Sequence, residues 1–528
     1  MPEFQLPAAT DLDRLAEQLT ARLGLEPEQP ESDPDCDQHF ERAFYDTFDG
    51  RLYRAALLLV ADRTARYTEL RMESRRPSES RSVIQRVEAM PRFAWDLPPG
   101  TLRGRLEPLI QMRALLPQLR LRSTVRRMAK RDENGKTVVR LALEDHQVLD
   151  ADQPARLCSR VRVEPLKGYG KALQRVVRIL DKDLGLEPVE TELLTAGLAM
   201  HNRAIEGYSS RIGVVLEPEL RADAAAKRIL AEQFQTMRAN LDGMCAEVDA
   251  EFLHDFRVSV RRTRAALSRI RGVFPSPTVG RYRREFRWLG QLTGPARDYD
   301  VYLLDFGDLC SELPRGLGEH LAPLRSLLTE RRADAYDTLR DALRSRRGRR
   351  LLSDWTTFVS APVPKSSSLP NACLPIGEVA SGVIWRAYRR VSRQGGAIGV
   401  DGPAAELHEL RKRCKALRYL LEFFRSLYDK DDIAVIIAEL KALQKILGAF
   451  QDLEVQSMAA ARWGLELAEQ PDVGPQTTLA LGALTQQLAA RQARKRKHFQ
   501  GAYERFAGKD NRKLARSLFR AEKRRNRS

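Results

Sequence analysis

The chain has 528 residues, 43% of them hydrophobic and 30% charged, with a formal net charge of +18 at pH 7. That length exceeds one ordinary hydrophobic core and the apolar share excludes a disordered chain, so two or three folded domains are expected. The charge is confined: residues 201–528 hold 57 Lys+Arg against 39 Asp+Glu, whereas residues 1–200 hold 32 of each, so only the second part calls for a polyanionic partner.

Six scattered cysteines (Cys36, Cys158, Cys245, Cys310, Cys373, Cys414) form no Cys-x-x-Cys pair, which reads as reduced thiols rather than a disulfide frame or a zinc site. The first residues, MPEFQLPAATDLDRL, lack a basic segment followed by an apolar one, and no run of 18 apolar residues occurs. No signal peptide or membrane span is expected, and the chain is placed in the cytoplasm.

Residues 1–7 read as a short strand and 11–23 as an amphipathic helix, followed by a proline-bearing loop over 26–37. The segments FERAFYDTFDG, RLYRAALLLVAD and RYTELRMES read as strands broken by turn residues. LRSTVRRMAK and TVVRLALED flank Asn134-Gly135, the preferred pair for a type I′ hairpin turn. SRVRVEPL is a further strand, and KALQRVVRILDKDL returns to helical period. The N-terminal part is thus α+β with an antiparallel sheet.

These elements resemble the CYTH family of triphosphate tunnel enzymes over residues 1–205, most closely at Tyr45-Asp46-Thr47-Phe48-Asp49. The resemblance implies an eight-stranded antiparallel tunnel whose basic side chains grip triphosphate and whose glutamates hold a divalent metal. The departures bear on activity. Where the family has Glu-x-Glu-x-Lys, this chain has Glu3-Phe4-Gln5-Leu6-Pro7, and Arg140 and Arg162 stand near positions where glutamate is usual. Mg²⁺ or Mn²⁺ needs anionic oxygen ligands, so the tunnel domain is expected to be catalytically degenerate, with an interior that repels metal while still attracting anions. The alternative is a surviving metal-dependent triphosphatase using Glu3, Glu69, Glu144 and Glu164.

After a linker over 206–220, helical periods dominate to the C-terminus. Residues 253–270 (LHDFRVSVRRTRAALSRI) carry His254, Arg257, Arg261 and Arg264; residues 407–424 (LHELRKRCKALRYLLEFF) carry His408, Arg411, Lys415 and Arg418 at the same offsets, 154 residues later. On a helix these offsets fall at about 0°, 300°, 340° and 280°, one stripe about 80° wide and about 15 Å long. Beside each cationic rail runs an apolar stripe: Leu253, Phe256, Val260, Leu267 and Ile270 in the first copy, and Leu407, Leu410, Cys414, Leu417, Leu421 and Phe424 in the second. The register persists beyond the rails, through LTGPARDYDV and ILGAFQDLEV, which align Gly294 with Gly448 and Asp298 with Asp452. Two pseudo-symmetric helical bundles follow from this, over about 221–360 and 375–520, with residues 363–372 as a flexible connector and 521–528 as a basic tail.

This half resembles the CHAD family, helical domains known as polyphosphate binders, over about 300 residues. The resemblance implies inorganic polyphosphate as the partner. It matches the rails, because guanidinium forks take two phosphate oxygens at once and stay protonated. A face-to-face pair would line one basic groove. His254 and His408 are placed in that groove, either as cations or bonded to a neighbouring helix. Asp298 and Asp452 are read as structural, orienting the basic side chains or capping a helix. The basic runs over 344–350 and 494–497 are read as solvated faces. No P-loop and no nucleophile–base pair is present, so no catalytic residue, metal ligand or cofactor is assigned, and a divalent metal enters only with the triphosphatase alternative. Non-specific nucleic-acid binding stays open, against it the absence of aromatics interleaved with the rails. Polyphosphate granules are the expected place of association in the cytoplasm.

Overall fold

The computed structural model describes residues 2–7, 10–28, 39–76, 82–149, 155–164, 166, 168–203, 205, 208–399 and 402–520. Cys36, the loop beyond residue 28 and the tail 521–528 lie outside them. The chain forms two compact units, Met1–Ser209 and Ser210–Ser528.

The first unit is built on ten antiparallel strands: β1 (Glu3–Leu6), β2 (Glu26–Pro27), β3 (His39–Asp46), β4 (Leu57–Arg63), β5 (Thr68–Ser74), β6 (Val83–Val87), β7 (Leu116–Arg131), β8 (Thr137–Val148), β9 (Ala155–Glu164) and β10 (Glu187–Pro188). Their order is β10-β1-β9-β8-β7-β3-β4-β5-β6, with β2 on β7. Arg75, just past β5, is ion-paired at 2.9 Å with Glu192. Helices α1 (Leu12–Leu23), α2 (Arg51–Arg54), α3 (Thr101–Ile110), α4 (Gly170–Arg178) and α5 (Leu193–Ala199) complete the unit.

Strand alternation sorts its two faces. On β8, Val139, Leu141 and Leu143 are buried against Leu15, Leu19 and Leu23 of α1 and Val176 of α4. Glu144 and His146 alternate to the opposite, polar face and are nevertheless 4% and 0% exposed.

Two local expectations are corrected. Residues 51–54 form α2 rather than a strand, because Asp46 accepts backbone N–H groups from Thr47 (2.6 Å), Leu52 (2.9 Å) and Tyr53 (2.8 Å) and so anchors a helical turn. The Asn134-Gly135 turn is not type I′, which needs positive φ at both residues. Only Gly135 is left-handed (φ 74°), while the Asp132 carboxylate accepts from the Asn134 and Lys136 amides at 3.0 and 2.9 Å. The side chain of Asp132 thus closes a wider loop.

The second unit is helical: α6 (Ala222–Cys245), α7 (Ala250–Arg269), α8 (Ser276–Leu304), α9 (Phe306–Ser311), α10 (Ala322–Arg344), α11 (Arg346–Ser360), α12 (Ile376–Ala397), α13 (Ala404–Phe423), α14 (Lys430–Ala468), α15 (Pro475–Lys497), α16 (Phe499–Phe506) and α17 (Lys509–Phe519). The repeat is structural as well as textual. Helices α6, α7 and α8 begin at 222, 250 and 276, and α12, α13 and α14 begin at 376, 404 and 430, each 154 residues later. Every residue of both apolar stripes is buried. A shared core of Tyr302, Leu324 and Leu328 from the first repeat with Leu453, Trp463 and Leu484 from the second binds the halves together. The connector at 363–372 is tethered rather than loose: Arg221 donates to the Lys365 carbonyl (2.8 Å) and Asn371 to those of Arg271 (2.8 Å) and Gly272 (3.0 Å).

Asp46→Ala strands three backbone donors at one site, two of them those of Leu52 and Tyr53. The N-terminal unit is expected to lose about 1–3 kcal/mol, and amide exchange over residues 47–56 should accelerate while that over α7 and α13 stays unchanged.

Candidate anion-binding site

The eight rail residues are all half-buried, and their two helices cross. Arg261 of α7 donates from Nε to the Tyr419 hydroxyl of α13 at 3.4 Å. Next to it, buried Arg262 is held by the Ser210 carbonyl and, at 3.4 Å, by Glu422 of α13. Glu422 also pairs with Arg418 at 3.1 Å, so one carboxylate serves a side chain from each helix.

The glycines of the second repeated motif lie beside the rails. A Cβ on Gly294 would meet Arg257 Nη1 at 3.4 Å, and one on its counterpart Gly448 would meet Arg411 Nε at 4.0 Å. At the next position the pattern recurs: a Cβ on Gly290 would meet Arg264 Nη1 at 3.4 Å, and the corresponding Gln444 accepts from Arg418 at 3.1 Å. Each rail is therefore laid along the next helix of its own repeat, α8 or α14, with Gly290, Gly294 and Gly448 beside its guanidinium groups. Arg257 donates to the Gly290 carbonyl (3.2 Å) and the Thr293 hydroxyl (3.3 Å). His408 bonds through Nδ1 to Gln451 of α14, the neighbouring-helix alternative for that histidine.

Charge in this region is incompletely neutralised. Asp452 pairs with Arg411 at 3.0 Å, in keeping with an orienting role, whereas Asp298 acts on Arg257 only through its field. Arg257, Arg261, Arg264 and Lys415 make no ion pair among the described residues. Burial pulls the Arg257 guanidinium below its ordinary value; Asp298 offsets part of this and Arg261 and Arg297 add to it. Arg264 is lowered by burial and by Arg287 and Arg283 of α8. Lys415 is pushed down to about 8 by burial, then by Arg411 and Arg261, against an opposing pull from Asp452. Cations of both rails thus depress the same ammonium. The Asp298 carboxyl is raised by desolvation and by Asp452, which brings the two motif aspartates within each other's field.

Sequence reasoning missed Tyr419, Thr293, Gly290 and Gln444, and the arginines Arg283 and Arg287. The Gly290-x₃-Gly294 spacing marks a helix face without side chains, and Arg283 and Arg287 share a face at i, i+4. Tyr419 had no such signal, because its counterpart in the first repeat is Ala265.

The polar face of the N-terminal sheet differs in kind, and the expectation that it attracts anions is corrected. Its arginines are met by carboxylates: Arg42 by Asp62 (2.8 Å) and Glu144 (3.4 Å), Arg162 by Glu144 (2.6 Å), Arg160 by Glu3 (3.4 Å) and Arg140 by Glu28 (2.9 Å). Burial alone would raise Glu144, but Arg162, Arg42 and His146 outweigh it and hold the carboxyl well below its usual range. Glu144 is thus engaged by Arg42, Arg162 and His146, and no group of three or more His, Cys, Asp or Glu placed to hold a metal ion occurs among the described residues.

Residues 228–461 match the CHAD domain model. The match lies within the helical unit, and the CHAD family is linked to polyphosphate binding. An uncharacterized protein found in two strains of Mycobacterium tuberculosis is 28% identical over 343 residues, 60% of this chain and 60% of the relative's own length. Among solved structures, the CHAD domain of the plant Ricinus communis is 26% identical, covering 56% of this chain and 95% of that one, with a TM-score of 0.46. PptA from Streptomyces chartreusis is 20% identical over 54% of this chain and 99% of its own, with a TM-score of 0.44. A putative adenylate cyclase from Bacillus halodurans is 14% identical over 36% of this chain and 91% of its own, with a TM-score of 0.26. No described helix is long and apolar enough to cross a membrane.

The Lys415 shift has a signed consequence for stability. The folded value, about 8, lies below the 10.5 of an unperturbed lysine. The folded state therefore releases this proton first, and its penalty is full below pH 8 and fades as pH rises toward 10.5. Lys415→Met should raise the melting temperature at pH 7, and the gain over wild type should shrink through that window. A gain independent of pH would assign the effect to packing alone.

Proposed function

We propose that the chain binds inorganic polyphosphate between its two rails. The carrying observation is the crossing of α7 and α13, where Arg261 reaches Tyr419 and both rails depress the Lys415 ammonium. A linear polyanion with roughly one charge per phosphate answers this arrangement. Its oxygens take the guanidinium forks, its charge relieves the repulsion between unpaired cations, and its flexibility lets one chain pass from one helix to the other. His254 and His408 sit at the first position of each rail.

The groove reading also rests on rigidity. The rails lie on helices whose adjacent apolar stripes are fully packed, so the cations are held in place before the ligand arrives and little ordering accompanies binding. The N-terminal unit contributes no comparable cation surplus, since its polar-face arginines are already paired.

Titration of the full chain with long-chain polyphosphate should give affinity that falls steeply with salt. Neutralising Arg257, Arg261 and Arg264 to glutamine, or Arg411, Lys415 and Arg418, should each weaken binding on the order of a hundredfold. Helical circular dichroism should be retained, because the apolar stripes are untouched. Either triple variant keeping half the sites at undiminished affinity would show two separate surfaces. Single-stranded RNA binding as tightly as polyphosphate at matched salt would favour a general polyanion surface.

A further inference from the structure

For a guanidinium fork, which nitrogen the protein holds decides which nitrogens a ligand can use. Arg257 and Arg418 are hydrogen-bonded through Nη1, to Gly290 and Thr293 and to Gln444, and Arg411 through Nη2 to Asp452. Arg261 is held differently. Its bond to the Tyr419 hydroxyl at 3.4 Å runs through Nε alone. Both Nη groups, the pair that takes two oxygens of one phosphate side by side, are left to a ligand.

Tyr419 is itself fixed from both sides. Its ring is buried and stacked on that of Phe423, one turn on, with centroids 6.5 Å apart and planes at 29°. The Arg418 guanidinium lies over the Tyr419 ring, 5.9 Å from its centre. One side chain therefore touches the first rail with its hydroxyl and the second rail with its face. The contact is closed into a circuit by Glu422, which is ion-paired with Arg418 at 3.1 Å and with Arg262, the neighbour of Arg261, at 3.4 Å.

This circuit breaks the repeat. At the 154-residue offset, Tyr419, Glu422 and Arg262 correspond to Ala265, Ser268 and Ala416, none of which can accept or donate in the same way. It is thus a device of the crossing and not a by-product of duplicated packing. We infer that Tyr419 is the positioning residue of the anion site: it holds the Arg261 fork by Nε beside Arg418, so that one stretch of polyphosphate meets a guanidinium from each rail. This role rests on the polyphosphate reading above, and names the group that lets the two rails act together.

The test is a double-mutant cycle in the full chain, with long-chain polyphosphate titrated at several salt concentrations against wild type, Tyr419→Phe, Arg261→Gln and the pair. Tyr419→Phe removes only the hydroxyl and keeps the stacked ring, so helical circular dichroism and melting temperature should hold. Its affinity should fall on the order of fivefold, the worth of one hydrogen bond. The salt slope should stay unchanged, because no charge is lost, whereas Arg261→Gln should lower it by about 0.7. In the Arg261→Gln background, Tyr419→Phe should cost nothing further. Arg261→Lys, which keeps the charge without the fork and leaves the ring untouched, should weaken binding about as much as Tyr419→Phe. Undiminished binding in Tyr419→Phe, an equal cost of that change with and without Arg261, or a lysine at 261 as good as arginine would each overturn the positioning role. Wild type that binds polyphosphate in no salt-dependent way would instead overturn the polyphosphate reading itself.

Discussion

Two cations a few ångströms apart repel by about 4 kcal/mol at an effective dielectric near 20. In the helical unit the half-buried Lys415 ammonium lies in the field of Arg411, Arg261 and Arg418, with Asp452 opposing them. Such crowding persists only on a scaffold that cannot relax away from it. Both rail helices supply one, with fully buried stripes on the core side and glycines of the next helix opposite the guanidinium groups. Packing energy holds the cations in place, and on the proposed reading an entering polyanion would relieve their mutual repulsion. The same features that make the site unfavourable when empty make it ready for a polyanion.

The two units handle arginine in opposite ways. On the polar face of the sheet, Arg42, Arg160 and Arg162 are each answered by Asp62, Glu3 or Glu144, so the charge is spent inside the protein. In the helical unit, Arg257, Arg261 and Arg264 of the first rail make no ion pair among the described residues, while Arg411 and Arg418 of the second are each met by a carboxylate. Net charge already hinted at this division, since the whole +18 lies in residues 201–528. What distinguishes an anion site from a basic sequence is which arginines remain uncompensated once the chain has folded.

Much of this was legible beforehand, for physical reasons. A 3.6-residue period and a fixed 154-residue offset require two equivalent helices, and α7 and α13 begin at that offset and bury the stripes read from the text. The orienting role read for Asp452 appears as its 3.0 Å pair with Arg411. Other features depend on tertiary proximity, which periodicity does not encode. The crossing that joins Arg261 to Tyr419 is one, and the pairing of Arg162 with Glu144 across adjacent strands is another. The Asn134-Gly135 turn went astray because Asp132, two residues upstream, captures the amides of the loop with its side chain. The helix at 51–54 was hidden for a similar reason, its anchor Asp46 being the end of the preceding strand.

The central claim is that both rails serve one chain of polyphosphate at once, and arginine footprinting tests it most directly. The full chain would be treated with phenylglyoxal in the presence and absence of one equivalent of long-chain polyphosphate, and modification at each arginine read by mass spectrometry. The account predicts that Arg257, Arg261 and Arg264 become protected together with Arg411 and Arg418, all at the same ligand ratio, while paired arginines such as Arg340 and Arg347 do not change. Protection of one rail with the other still open, or of the second only after further ligand is added, would contradict it.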